Sequence, residues 1–245
     1  MAGFDEAWPV ATISGMTASL QGISSMATRQ VLNELAKAYQ QRTGQAVAVE
    51  SVGGVDAARR VAAGEPFDFV VLAADAIDKL VASGQVVAGT RVDLVDSGVA
   101  VAVRAGTPRP DLSSEEALKR AVIAAPTVGY STGPSGVALV KLFERWGIAQ
   151  ELQGRLVQAP PGVPVGALVA RGEVGLGFQQ LSELIHLQGI DVVGPMPAAV
   201  QITTTFSGAL CKASSQAEAV RAMLAFMASP DAEAAKRRNG MEPAA

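Results

Sequence analysis

The chain has 245 residues and a formal charge of −3, set by 20 Lys and Arg against 23 Asp and Glu. Its 49% hydrophobic and 18% charged residues exclude a disordered or low-complexity polypeptide, and the length allows one large domain or two lobes of about 100 residues each. A pI near 5.3 argues against nucleic acid as a partner, and a mean hydropathy of +0.27 comes without any run of ~18 apolar residues, so no membrane insertion is expected.

One Cys (Cys211) and one His (His186) permit no internal disulfide and no Cys/His zinc cluster, so neither a metal nor a cofactor is expected. Aromatic residues are only 4%, so the core must be built from Val, Leu, Ile and Ala, as in a layered α/β protein. The opening stretch MAGFDEAWPVATISG has neither the basic start nor the apolar stretch of a secretory signal. Residues 1–18 are expected to be an extension, with residues 1–15 loose or translation starting at Met16. A cytoplasmic location is expected, and a periplasmic one if the native start lies elsewhere.

Strand and helix patterns then alternate. A short apolar strand, Ser19 to Ile23, precedes a helix from Thr28 to Gln41 whose buried face is Val31, Leu32, Leu35, Ala36 and Tyr39. Gly44 ends that helix. AVAVESV reads as a strand, Val55 to Ala63 as a helix, and FDFVVLA as a strand buried on both faces. Asp75 is the expected cap of the next helix, with Ile77, Leu80 and Val81 inward. Three such β-α units, with right-handed crossovers, predict a doubly wound sheet.

Past residue 95 the pattern changes. A long strand at 94–104 leads to a Pro-rich turn, and Ser113 with Glu116 forms the expected capping box of a short helix. TVGYS, the turn GPSG and an apolar helix from Val137 to Trp146 follow. RLVQA, a helix from Val165 to Arg171, VGLGF, a short helix at Leu181 to Leu184, DVVG, and a strand at 198–210 come next. Helices from Gln216 to Ala228 and after Ser229-Pro230-Asp231 close the chain. The two long strands predict two α/β lobes joined by two crossovers, with lobe I formed by 19–96 and 200–245, lobe II by 97–199, and a ligand cleft between them.

Four strand ends would face that cleft. Ser24 and Ser25 end the first; Ser51, Gly53 and Gly54 the second, with Arg59 following on the helix. Tyr130, Ser131, Thr132, Ser135 and Gly136 form the third, and Gln179 and Gln180 the fourth. Free N–H groups at helix starts, joined by hydroxyls and amides, suit a small anion. Each also has a purely structural reading. The serines can be N-caps, the glycines a tight turn, Arg59 a solvated face, His186 a surface group and Cys211 a small core residue.

At these turns, in this order, the chain resembles the type II periplasmic-binding-protein fold. The likeness is to the molybdate-binding family of ABC-transporter solute receptors and covers roughly 19–240. AGEPFDFVVLA, GYSTGPSGVAL, VPVGALVARGEVGLGF and SPDAEA carry it. The resemblance implies an oxyanion held by serines at the first two turns, here Ser25 and Ser51, by backbone amides at later turns, and by a tyrosine hydroxyl. The tyrosine position falls on Phe178, which has no hydroxyl to offer. An ABC transporter is implied as partner only if the chain is exported. The superfamily also includes cofactor-free aconitate isomerases, and a carboxylate would suit Gln179, Gln180 and a nearby Arg. Capture of a small oxyanion or di- or tricarboxylate is therefore the expected function, and the second, alternative one is a cofactor-free proton shift in an unsaturated polycarboxylate. The second needs a base, for which Glu50, Tyr130 and His186 are the candidates.

Overall fold

The computed structural model describes residues 18–244, so the expectation for residues 1–15 and Met16 lies outside the described residues. Three β-α units open the fold. They are β1 (Leu20–Ser25) with α1 (Arg29–Thr43), β2 (Val47–Val52) with α2 (Gly54–Ala62), and β3 (Phe69–Ala73) with α3 (Ala74–Ala82). A 3-10 turn, Met26–Thr28, separates β1 from α1. The 3.6-residue period of α1 buries Val31, Leu32, Leu35, Ala36 and Tyr39, and Gly44 stops it at φ 77°. All five residues of β3 are buried, because helices cover both faces of its sheet.

β4 (Val92–Arg104) is one 13-residue strand that serves two sheets. Its first half pairs with β9 (Thr203–Leu210), and its second half with β7 (Leu176–Gln180) and β8 (Ile190–Pro195). The second lobe adds α4 (Glu115–Ala124), β5 (Val128–Tyr130), α5 (Pro134–Arg145), β6 (Leu156–Gln158), α6 (Val165–Ala170) and α7 (Leu181–Leu184). The chain then returns through β9 to α8 (Ala217–Ala228), α9 (Glu233–Arg238) and β10 (Glu242–Pro243). Strand order is β2-β1-β3-β9-β4-β7-β5-β6, with β8 and β10 also on β4. This is the expected two-lobed α/β fold. Separate apolar cores fill the two lobes, one around Phe69, Leu94 and Met223, the other around Val101, Leu118 and Phe143.

Several local expectations need correction. Asp75 does not cap α3: the helix begins at Ala74 after Ala73, and Asp75 sits in its first turn, 3.7 Å from Lys79. The cap of α4 is Ser114, whose hydroxyl accepts from the Ala117 amide, while the Ser113 amide turns back to Asp111. Val81 is only partly buried. The returning strand starts at Thr203 rather than 198, because Pro197 leads into a 3-10 turn over Ala198–Val200.

Two packing features fix the first lobe. Gly22 lies beside Phe69 across the β1–β3 pair, and a Cβ there would fall 2.1 Å from the buried Phe69 ring. Gly22→Ala is expected to cost about 2 kcal/mol by overpacking, read as a lower unfolding midpoint; an unchanged midpoint would contradict this packing. Asp68 accepts from the Gln21 amide, the Ser214 hydroxyl and the Gln216 side chain, tying β1 to the start of α8. The nearby Cys211 thiol is buried. Burial, followed by the charge of Asp68, pushes it up to about 12, so iodoacetamide at pH 8 should leave it unmodified in the folded protein.

Candidate functional site

A cavity of about 630 Å³ opens between the lobes, where β1, β3, β5 and β7 give way to their helices. Ser25, Gly53, Gly54 and Phe206 line it from the first lobe. Ser131, Thr132, Ser135, Gln179, Gln180 and Glu183 line it from the second. Much of the remaining wall is apolar, including Met26, Val55, Leu72 and Leu80.

The register of β1 sorts the serines. Ser24 pairs with Ser51 across the parallel ladder, and Ser25 pairs with Val52. Side chains directly opposite share a face, so the Ser24 and Ser51 hydroxyls meet at 2.8 Å. Neither residue lines the cavity. Successive residues of a strand point to opposite faces, which turns Ser25 the other way. Ser25 is 7% exposed, and its hydroxyl is buried without a hydrogen-bond partner. It sits at the N-cap of the 26–28 turn but makes no capping bond; its carbonyl accepts from Thr28 instead. The start of α2 lies close, since a Cβ on Gly54 would come 3.5 Å from the Ser25 Cβ. A buried hydroxyl left unpaired carries a desolvation cost that a ligand acceptor would relieve.

The third turn brings Ser131, Thr132 and Ser135 to the cavity, with Ser131 and Ser135 hydroxyls 3.4 Å apart. Helix α5 begins on Gly133–Pro134, and Pro134 itself has no amide to leave unpaired. Tyr130 instead packs against the second-lobe core, and Gly136 is structural. A Cβ at 136 would fall 1.8 Å from the Ser131 carbonyl oxygen, so only glycine lets helix and turn approach this closely. Neither residue lines the cavity.

At the fourth turn the two glutamines divide. Gln180 lies between the crossover strands. With its amide nitrogen toward Ser97 it donates to that hydroxyl (2.8 Å) and carbonyl (3.0 Å) and accepts from Thr204 (3.1 Å). Gln179 accepts from the Gly166 amide at 3.1 Å and donates to Glu183 Oε2 at 2.5 Å. Glu183 belongs to α7, which the second lobe carries but the first lobe seats: the Ser182 hydroxyl donates to the Ala27 carbonyl at 2.8 Å. Burial pushes the Glu183 carboxyl up to about 7, against the opposing pull of the Gln179 hydrogen bond.

The other candidates stand elsewhere. Glu50 is held by both Arg60 nitrogens, at 2.5 and 3.1 Å, which keeps its carboxyl below the usual carboxylate range. His186 is exposed and its nearest polar contact is Asn239 at 3.4 Å. Phe178 is buried edge-on against Phe143. Arg59 lies on the cavity rim but is solvated and paired with Asp56 at 2.5 Å. Glu183 is the site group that the turns alone did not reveal. Its spacing of four from Gln179, across a strand-to-helix junction, is the signal that could have found it.

Comparison with known proteins places this geometry in a family. The family model described as bacterial extracellular solute-binding protein matches residues 20–242. An aconitate isomerase from a Pseudomonas species is 43% identical over 231 residues, spanning 92% of this chain and 88% of that protein. Among solved structures, the Azotobacter vinelandii periplasmic molybdate-binding protein superposes with a TM-score of 0.76 at 21% identity, over 91% of this chain and 98% of that one. The sulfate-binding protein SubI from Mycobacterium tuberculosis H37Rv gives 0.76 at 17% identity, over 93% and 87%. Among the described residues, no helix is long and apolar enough to cross a membrane. The chain belongs to the bacterial extracellular solute-binding protein family.

Proposed function

We propose that the chain is a cofactor-independent isomerase that moves a proton within a small unsaturated polycarboxylate of the aconitate type. The observation that carries this reading is Glu183, an ionisable carboxyl near neutrality that lines the same cavity as the unpartnered Ser25 hydroxyl. A general base works best when its pKa lies near the operating pH. Identity of 43% to a protein named aconitate isomerase supports the same chemistry.

The cis and trans forms of such an acid interconvert by a 1,3-proton shift. Glu183 takes a proton from the methylene carbon next to a carboxylate, and the electron pair delocalises over the former double bond. Return of the proton to the other terminal carbon makes the former double bond single and places the new double bond on the methylene arm, whose held conformation sets the cis or trans outcome. Nothing is oxidised or reduced, and the base is regenerated. Ser25, the Ser131–Ser135 turn and the α2 start supply neutral donors for the substrate carboxylates.

The wider family favours a second reading: capture of the same anion without turnover, for delivery to an ABC transporter. A thermal-shift screen of oxyanions against di- and tricarboxylates, followed by proton NMR of each stabilising acid, separates the two. Stabilisation by aconitate with conversion between its isomers supports the isomerase. Stabilisation without conversion supports the receptor.

A further inference from the structure

We propose that Gln179 is the positioning residue for Glu183: gripped by the first turn of α6, its side-chain amide holds one carboxylate oxygen and leaves the other to the substrate. The proposal rests on the isomerase reading for its role in turnover.

The geometry is directional. The Gly166 amide is one of the first N–H groups of α6 and has no partner within its own helix. It donates to Gln179 Oε1 at 3.1 Å, which settles which end of the side chain is the oxygen. The nitrogen must then face Glu183, and it donates to Oε2 at 2.5 Å. Gln179 is 4% exposed, so water does not replace it easily. α6 itself cannot drift, because Gly166 packs so closely on α7 that a Cβ there would lie 2.5 Å from Leu187 and 2.9 Å from Leu184. Strand β7, α6 and α7 thus lock one oxygen of the base.

No charged group does this work. α6 carries no ionisable side chain, and neither does the 26–28 turn under α7. Packed beneath, β4 has its charges away from the middle: Asp93 and Asp96 are bonded to Ser207 and Thr205, and Arg104 ends the strand. Asp75, Lys79 and Arg59 share the cavity from first-lobe helices. His186, next along the chain from α7, and Asn239 near α9 contact each other. Only burial and Gln179 move the Glu183 titration, in opposite directions.

The test uses the full chain with Gln179→Met, which keeps the bulk and removes the donor, and Gln179→Asn, which keeps the amide but shortens its reach. Two readouts are followed: the carbon-13 titration of the Glu183 side-chain carboxyl, and the pH profile of kcat/KM with trans-aconitate. Both midpoints should rise by about one pH unit in either variant. Activity below the midpoint should fall about tenfold and recover toward wild type above it. A merely structural residue would lower activity at every pH with both midpoints in place, and that result overturns the proposal. Should wild type turn over no aconitate while the carboxyl midpoint still moves, the isomerase reading fails and the Gln179–Glu183 coupling stands.

Discussion

Glu183→Gln is expected to lower kcat for aconitate isomerisation by about 10²–10⁴-fold, the usual contribution of a general base. Affinity should stay within a few-fold, because glutamine keeps the volume and an oxygen that can accept from Gln179. The same substitution should raise stability at alkaline pH. The carboxyl is held near 7 in the fold against an ordinary 4.5, so the folded state favours the protonated form. Stability is then fully present below 4.5 and is lost as pH rises through 7. The amide cannot ionise and escapes that loss. Thermal melts should therefore coincide for wild type and variant near pH 4.5 and diverge at pH 8 in favour of the variant. Unchanged kcat with identical melts at both pH values would remove Glu183 from the site.

Ser25→Ala should show the opposite separation of binding from stability. Its hydroxyl is buried and unpaired, so its loss costs the free protein nothing and relieves a desolvated donor. A bound carboxylate or oxyanion would lose that donor, a loss of about 1–3 kcal/mol or roughly 5- to 150-fold in Kd. Ser51→Ala provides the contrast. Ser51 spends its hydroxyl on Ser24, so its replacement should lower stability by about 1 kcal/mol and leave Kd nearly unchanged. Calorimetric titration with aconitate, paired with melts of the free proteins, measures both. Equal affinity losses at the two positions would restore the symmetric serine pair that the family resemblance implies.

The elements were legible because their physical signals are local. The 3.6-residue apolar period of α1, the all-buried run of β3 and the Pro-Gly punctuation of the second lobe each dictate structure over a few residues. Caps were less legible: Ser113 and Ser114 are adjacent and chemically alike, and only the turn made by Asp111 decides between them. At the site, the strand ends named loops that meet at the cavity but not the arrangement within them. Whether Ser25 or Ser24 faces the cavity depends on strand register, a long-range property. Gln179 and Gln180 are identical in type, yet one meets α6 and α7 while the other cross-links β4 and β9. Glu183 was hidden because an acid in the first turn of a short helix is ordinarily a dipole partner. Its burial beside Gln179 arises only when α7 seats on the first lobe.

Deuterium incorporation measures proton transfer by Glu183 within the cleft most directly. In heavy water at pH 7 or above, the wild-type protein should interconvert cis- and trans-aconitate and place solvent deuterium on the allylic carbons. Glu183→Gln should do neither while still being stabilised by aconitate. Wild-type protein that is stabilised by aconitate yet exchanges no proton and forms no second isomer would contradict the account and leave a solute receptor.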